Sequence, residues 1–492
     1  MQLPIHLASS GGRSLQEQLF DQFVAQLAEG LLRPGMRMPA TRQLAIDLGV
    51  SRNTVVLTYE RLVAEGFIEM RPPLGAFVTA RGVPGIAIAP PPARDEAVAA
   101  PPVAPRAALR FRGRMHALRS AYADEVELDF WVGRPDPRLF PVHAWRKLVE
   151  TSLAQMQHGD GSYGEPAGLR KLRAAVAGHV GAARGIVCSA DDVIVTNGIQ
   201  EGINIVARLL LVPGDAVGME CPGYAGAANV FASHGARLVP LEVDDEGAQP
   251  ADLPSGCSAV YLTPAHQYPS GAALSAQRRR AWLRWAREHG GFLVEDDYDS
   301  DFYFDSAPMP ALKAEDRDDS VIYLGTFSKS LAAGMRLGYL IAPRALRDAA
   351  VTIKGLLTNG SPWLLQASLA AFIDSGEFAH HLRRLRKHYA ARRDALASAL
   401  ARHFGGAPPR GMHAGMHLVW QAPAALPDAA AIEPLARAAG VGVYSLRNGN
   451  AWLHGPPERW ARALLLGYAA LDEHEIASAI GRLAAALQSG RA

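Results

Sequence analysis

Apolar residues recur at fourfold spacing near the start of the chain, at Leu15, Leu19, Phe23 and Leu27. That period puts them on one face of a helix over residues 14–31. Arg33-Pro34-Gly35 ends the run as a turn. A second helix is expected at Thr41–Leu48, stopped by Gly49, and a third from Ser51, a favourable N-cap, to about residue 64. Residues 67–70 and 76–79 then read as short strands joined by Arg71-Pro72-Pro73-Leu74-Gly75. Helix, tight turn, helix and hairpin make a winged helix-turn-helix.

From Leu128 the rhythm changes. Residues 193–196, 216–219, 237–243, 259–262, 292–294, 321–324 and 339–341 form short apolar runs bounded by turn residues, the pattern of buried strands. Longer amphipathic stretches, including 200–211 and 274–289, separate several of them. This alternation predicts an α/β domain with a mostly parallel sheet covered by helices. Between the two regions, residues 81–114 are rich in proline and alanine without a period. Pro90, Pro91, Pro92, Pro101, Pro102 and Pro105 forbid a continuous helix there, so an extended tether is expected. The predicted division is a multidomain chain: 1–80, a linker at 81–114, and 115–492.

Composition narrows the class. A chain of 492 residues exceeds what one core organises, and 49% hydrophobic with 20% charged residues is typical of a soluble globular protein. Cys188, Cys221 and Cys257 make neither a disulfide framework nor a metal site, so no metal is expected and a reducing, cytoplasmic setting is. No uncharged apolar run is long enough to span a bilayer, and the N-terminus lacks the signal-peptide pattern. No membrane partner is therefore expected.

The net charge of +2 does not by itself point to nucleic acid. Residues 1–80 carry seven arginines and seven acids, and seven minus seven is zero. DNA affinity must then come from sorting charge onto one face and from dimerisation. Ser51, Arg52, Asn53 and Thr54 open the third helix, the part that enters the major groove in helix-turn-helix proteins. Arginine and asparagine pair bidentately with guanine and adenine edges. Arg42 lies where the preceding helix crosses the phosphate backbone, and Arg71 and Gly75 belong to the wing. The blander alternative leaves Arg42 and Arg52 solvated, with Ser51 and Thr54 only capping.

In open α/β sheets, ligands sit at the carboxyl ends of strands. The run at 292–294 delivers Glu295, Asp296, Asp297 and Tyr298, and that at 321–324 delivers Thr326, Ser328, Lys329 and then Arg336. Pyridoxal phosphate (PLP) needs such a set: a lysine for the Schiff base and a carboxylate for the pyridine nitrogen. A phenol suits the ring hydroxyl, and hydroxyls with an arginine fork suit the phosphate. Of the six lysines, Lys329 alone lies between a buried strand and a small-residue loop; Lys147, Lys171, Lys313, Lys354 and Lys387 read as solvated. Strand alternation turns Glu295 and Asp297 away from Asp296, into structural or solvated roles. Gly198, Ile199 and Gln200 open a helix directly after a strand, a place suited to phosphate. Tyr224, after the next strand, is placed to stack on the ring; its plain alternative is a core tyrosine.

The run PATRQLAIDLGVSRNTVVLTYERLVAEGFI resembles the GntR-type winged helix, and GTFSKSLAAGMRLGY resembles the Schiff-base region of fold-type I aminotransferases. The second likeness extends from about Leu128 to the C-terminus. It implies that Lys329 carries PLP, that Asp296 partners the pyridine nitrogen and Tyr298 the ring hydroxyl, and that Thr326, Ser328 and Arg336 take the phosphate. Tyr163, in SYGEPAGLRKLR, resembles the tyrosine that reaches the phosphate of the neighbouring subunit, which implies a homodimer. The loop TPAHQYPSG is similar to the NPTG loop of aminotransferases, with Tyr268 replacing the asparagine at the ring hydroxyl and His266 and Gln267 beside it.

With the linker between them, the two regions resemble the MocR family, as do the phrases GRPDPRLFPVHAW and EDDYDSDF. The resemblance implies a PLP-dependent transcriptional regulator that binds double-stranded DNA and senses an amino compound or PLP itself. The alternative is an active PLP-dependent aminotransferase with an auxiliary DNA-binding domain. One departure stands out. Aminotransferases hold the substrate carboxylate with an arginine in contexts such as RLSYA, whereas LLLGYA here has leucine at that place. Arg447 and Arg462 are the nearby substitutes.

Overall fold

In the computed structural model, Ser14 accepts the backbone N–H of Glu17, and Glu17 reaches back to Ser14. This capping box starts α1 (Leu15–Ala28). The structure describes residues 5–8, 12–79, 111, 125–155, 163–250, 253–254, 256–304, 309–455 and 458–489. They belong to two units, Met1–Pro105 and Arg106–Ala492. Apart from Phe111, the predicted tether at 81–114 lies outside the described residues.

In the first unit, α1 ends earlier than its periodicity predicts. Gly30 takes a left-handed φ of 71°, and the Leu31 N–H turns back to Gln26 O at 2.9 Å. Then come α2 (Thr41–Leu48), ended by a left-handed Gly49, and α3 (Arg52–Ala64), capped by Ser51. Leu19, Phe23, Val55 and Leu62 are buried between these helices. β1 (Ile68–Arg71) and β2 (Gly75–Val78) form the antiparallel hairpin. A feature missed in the sequence widens it: Met38 N–H donates to Ala76 O, and Val78 N–H to Met36 O, each at 2.9 Å. Residues 36–38 thus flank the wing as a third extended segment.

In chain order the second unit contains β3 (Leu128–Asp129), β4 (Val193–Thr196), β5 (Ala216–Cys221), β6 (Gly223–Tyr224), β7 (Arg237–Asp244), β8 (Gly247–Ala248), β9 (Cys257–Leu262), β10 (Phe292–Asp297), β11 (Val321–Thr326), β12 (Gly338–Ile341), β13 (His417–Gln421), β14 (Val441–Gly442), β15 (Tyr444–Ser445), β16 (Ala451–Trp452) and β17 (Ala463–Gly467). All seven strands predicted here are present. One sheet has the order β4-β12-β11-β10-β9-β5-β7-β8. Neighbours from β11 to β7 are parallel, whereas β12 runs antiparallel to both β11 and β4.

Several observed strands run past their apolar runs into polar residues, because ladder pairing continues to Asp297 beside Gly325. Each fully buried valine, isoleucine or leucine contributes roughly 1.5–3 kcal/mol. Leu293, Val294, Val321, Ile322 and Leu324 are all fully buried. Together they offset the cost of drawing the acids at the strand ends out of water. A smaller sheet, β13-β17-β15, lies toward the C-terminus. It packs with the helices Glu377–Phe404 and Glu473–Ser489 around Leu464, Leu466 and Leu483. Two short pairings join early and late chain: β3 with β14, and β6 with β16. No helix among the described residues is long and apolar enough to cross a membrane.

Candidate functional site

The carboxyl ends of the central strands open on a cavity of about 740 Å³. Its wall contains Lys329, Asp296, Tyr298, Tyr224 and Tyr268, together with Ile199, Gln200, Thr326, Ser328 and Arg336. Residues far apart in the chain, from Ile199 to Arg336, are thus brought together. Tyr163 is not part of this wall; it stands 93% exposed.

One end of the cavity gathers groups able to hold an anion. Gly198 has φ 81° and precedes the helix Ile199–Leu210, whose first N–H groups lack intrahelical acceptors. A Cβ on Gly198 would come within 2.9 Å of the Arg336 guanidinium carbon, so glycine permits that close approach. Arg336 Nη2 donates to Asn197 O at 3.0 Å. Thr326 Oγ1 lies 3.0 Å from Ser328 Oγ and accepts the Ser328 N–H at 3.1 Å.

Glu201 holds the Asn197 N–H at 2.6 Å and pairs with Lys354 Nζ at 2.6 Å. Lys354 also donates to Thr358 at 2.9 Å and Ser361 at 3.0 Å. This corrects the solvated reading of Lys354. It is fully buried, its three N–H bonds are all used, and it braces the loop behind the anion end.

The opposite chemistry surrounds Asp296. Its Oδ2 accepts the Tyr261 hydroxyl, while Oδ1 is buried with no hydrogen-bond partner among the described residues. Burial pushes its carboxyl up to about 7, with the Tyr261 hydrogen bond opposing. Lys329 Nζ donates to Gly133 O at 2.9 Å. Burial holds this ammonium below the ordinary lysine range; Arg336 adds to the effect, and Asp299 and Asp296 oppose it.

Gly133 has φ 70°, and a Cβ there would collide with Lys329 Nζ. Gly133→Ala is therefore expected to displace the lysine. The accessible-amine reaction of Lys329 with an aldehyde reagent should fall at least tenfold, as mass spectrometry of the labelled peptide would show. Backbone strain of roughly 1–3 kcal/mol adds to the steric conflict.

The neighbours of Asp296 take separate paths. Asp297 pairs with Arg184 at 2.7 Å and accepts the Tyr323 hydroxyl. Glu295 accepts the backbone N–H groups of Leu312 and Lys313 at 2.7 and 2.8 Å. Both acids are buried and structural, not solvated. The Tyr298 hydroxyl lies 3.2 Å from His266 Nδ1, which is itself 3.0 Å from Asp299 Oδ2. Tyr268 lines the cavity, but its hydroxyl is committed to Gly449 O. Its ring meets Tyr224 edge-on at 5.8 Å. The Tyr224 hydroxyl accepts from Gln200 at 3.1 Å, and burial pushes it up to about 12. His417 also lines the wall; burial, then its His266 neighbour, push it down to about 3, so it is neutral at physiological pH. His266, Asp299 and His417 offer ligand atoms within 4.8 Å of one another. Of the three, His266 and Asp299 are hydrogen-bonded to each other, whereas His417 Nε2 lies 3.1 Å from Pro269 O and His266 Nε2 is buried with no partner among the described residues.

The two substitute arginines do not reach this cavity. Arg447 is exposed, and Arg462 donates to Pro423 O at 3.2 Å and to Leu426 O. Arg134, missed in the sequence, is in the wall. The available signal was its place directly after Gly133 in GRPDPRLFPVHAW.

In the first unit, Arg42, Ser51, Arg52 and Asn53 are exposed. Ser51 Oγ caps α3 through the Thr54 N–H at 3.1 Å and lies 2.8 Å from Thr54 Oγ1. Arg13, Arg61 and Arg71 pair with Asp21, Glu65 and Glu69. Arg33, Arg37, Arg42 and Arg52 form no ion pair within the described residues. Arg71 also lies over the Phe77 ring at 4.9 Å. Gly75, at φ 109°, faces the Arg37 side chain, which makes Arg37 a wing residue that sequence reasoning overlooked.

Residues 15–78 match the model of the gntR family of bacterial regulatory proteins, and residues 130–483 match that of aminotransferase class I and II. The chain is 37% identical to a probable rhizopine catabolism regulatory protein, MocR, of Rhizobium meliloti, over 96% of this chain and 93% of that one. It is 34% identical to the HTH-type transcriptional regulator TauR of Rhodobacter capsulatus, over 99% and 100% of the two chains. The α-aminoadipate aminotransferase LysN of Thermus thermophilus, solved with N-(5'-phosphopyridoxyl)-L-leucine, matches with a TM-score of 0.67 at 27% identity, covering 78% of this chain and 97% of its own.

Proposed function

Because the chain belongs to the MocR family of transcriptional regulators, with a GntR-type helix-turn-helix and an aminotransferase class I and II domain, we propose that it binds promoter DNA under the control of an amine sensed through pyridoxal phosphate. The observation that carries the cofactor reading is Asp296 Oδ1, a buried acceptor with no partner among the described residues, in the wall it shares with Lys329. When bound, the cofactor supplies an aldehyde carbon reactive toward primary amines. Lys329 would hold that carbon, and burial favours the neutral, nucleophilic form of its amine. Asp296 would keep the proton on the pyridine nitrogen. Arg336, Thr326, Ser328 and the N–H groups of Ile199 and Gln200 would take the phosphate; Tyr298 would take the ring hydroxyl, and Tyr224 would lie beside the ring.

In a homodimer, Tyr163 reaches the partner's phosphate, in keeping with its exposure in a single chain. Residues 81–114 tether the winged helix, in which Arg42, Ser51, Arg52, Asn53, Thr54, Arg71 and Gly75 meet the duplex. The protein works in the cytoplasm. The leucines of β17 where an aminotransferase carries its carboxylate arginine favour sensing over turnover.

The test is a titration of the full chain with pyridoxal 5'-phosphate, followed by visible absorbance. Only the ionised carboxylate pairs with a protonated ring nitrogen. With Asp296 near 7 in the cofactor-free protein, cofactor affinity is expected to rise from pH 6 to pH 8. Asp296→Asn should flatten this profile and weaken binding at pH 8 by roughly tenfold to a hundredfold, the worth of a charged hydrogen bond. For the empty protein the linkage runs the other way. A carboxyl raised above its unfolded value costs stability as pH rises from the ordinary carboxylate range through 7, so Asp296→Asn should not unfold it. A chain that stays colourless with excess cofactor would refute the reading.

A further inference from the structure

The cofactor reading leaves open which amine is sensed, and the cavity's charges bear on that. Among the described wall residues the permanent cations are Arg336 and Arg134, with Lys329 as the reactive amine. His417 is neutral. Arg336 is committed to the anion end, against Asn197 O and Gly198. Asp296 and Asp299 are acids and would repel a negative ligand group. Arg134 is the remaining cation. It adjoins Gly133, whose carbonyl accepts the Lys329 ammonium at 2.9 Å. An amine that takes the place of Nζ therefore starts one residue from Arg134.

The guanidinium is held loosely. Nη1 lies 3.4 Å from Asp129 Oδ2, and Nη2 donates to Asp129 O at 3.2 Å. Asp129 is occupied elsewhere: its Oδ1 accepts the Trp131 N–H at 3.1 Å and the Tyr444 hydroxyl at 2.6 Å. Tyr444 and Trp131 thereby fix Asp129, and among the described residues Asp129 orients Arg134 without saturating it. Arginine has five N–H groups, and its side chain here is 43% exposed. A planar fork oriented by a buried acid, with donors to spare, matches a carboxylate.

Resting on the function proposed above, we infer that Arg134 selects the ligand: the sensed amine carries a carboxylate, and Arg134 binds it. The role that β17 leaves vacant in leucine is filled from the loop after β3. An alkylamine, which lacks an acid group, gains nothing at this position, so the discrimination lies in the anionic end of the ligand.

The experiment uses the cofactor-loaded full chain and a set of aminocarboxylates of graded length, each matched to the n-alkylamine of equal length. The change in visible absorbance gives a half-saturation concentration for each. In the wild type, the best aminocarboxylate is expected to saturate at roughly tenfold to a hundredfold lower concentration than its matched alkylamine. Arg134→Gln should erase that ratio while taking up the cofactor as the wild type does. Arg134→Lys should keep an intermediate ratio, since an ammonium is a point charge without the fork. A wild type that does not distinguish the pair overturns the inference, as does an Arg134→Gln chain that keeps the full ratio. Loss of cofactor uptake in Arg134→Gln also overturns it, because Arg134 would then serve the cofactor or the fold. A wild type that takes up no cofactor sinks the earlier reading, and this one with it.

Discussion

Lys329→Ala is expected to abolish covalent retention of the cofactor. After borohydride treatment and gel filtration, the wild type should keep its label on the peptide containing Lys329, and the variant should keep none. No other lysine is placed to substitute. Lys354 is saturated by Glu201, Thr358 and Ser361, and Lys313 is tied to Asp316 and Asp319 at 3.2 and 3.0 Å. The variant should still fold. Losing the ammonium strips Gly133 O of its partner, at roughly 1–3 kcal/mol, but it also removes a charge whose burial is unfavourable in the empty cavity. Label retained at wild-type stoichiometry would show that the reactive amine is another one.

Arg52→Ala is expected to weaken promoter binding by roughly tenfold to a hundredfold, from the 1–3 kcal/mol of one bidentate base contact. Cofactor uptake should be unchanged, since Arg52 belongs to the other unit. Arg52 is exposed in the first turn of α3 and free of ion pairs within the described residues. Arg61 provides the control. It pairs with Glu65 at 2.8 Å and covers the Phe20 ring at 3.8 Å. Arg61→Ala should therefore lower the melting temperature more than the DNA affinity. Electrophoretic mobility shifts read beside thermal melts would separate the two. Equal promoter affinity for Arg52→Ala and wild type would remove α3 from the interface.

What the chain disclosed before folding follows from range. Most of the seven strands were legible because a strand buried on both faces is an unbroken apolar run, a local property; β7, with Arg237, Pro240 and Glu242 exposed, is the exception. Lys329, Asp296 and Arg336 were legible because they follow such runs. Where these strands end was not, since the pairing that carries β10 to Asp297 depends on β11. Lys354 read as a surface charge because its helix gives no sign of Glu201, 153 positions away, which neutralises it. Arg134 was hidden for the same reason: its importance depends on the Gly133 loop passing over Lys329, 196 positions on. The two-residue strands β3, β6, β8, β14, β15 and β16 carry no periodicity to detect.

The short ladder of β6 and β16 ties one wall of this cavity to the late chain. It pairs Tyr224 with Ala451, and the next amide, Ala225 N–H, donates to Asn450 O at 3.1 Å. Tyr224 and the late chain are therefore fastened backbone to backbone, like two leaves on one hinge pin. On the function proposed above, a ligand that displaced the tyrosine would carry the stretch around Asn450 with it through the main chain.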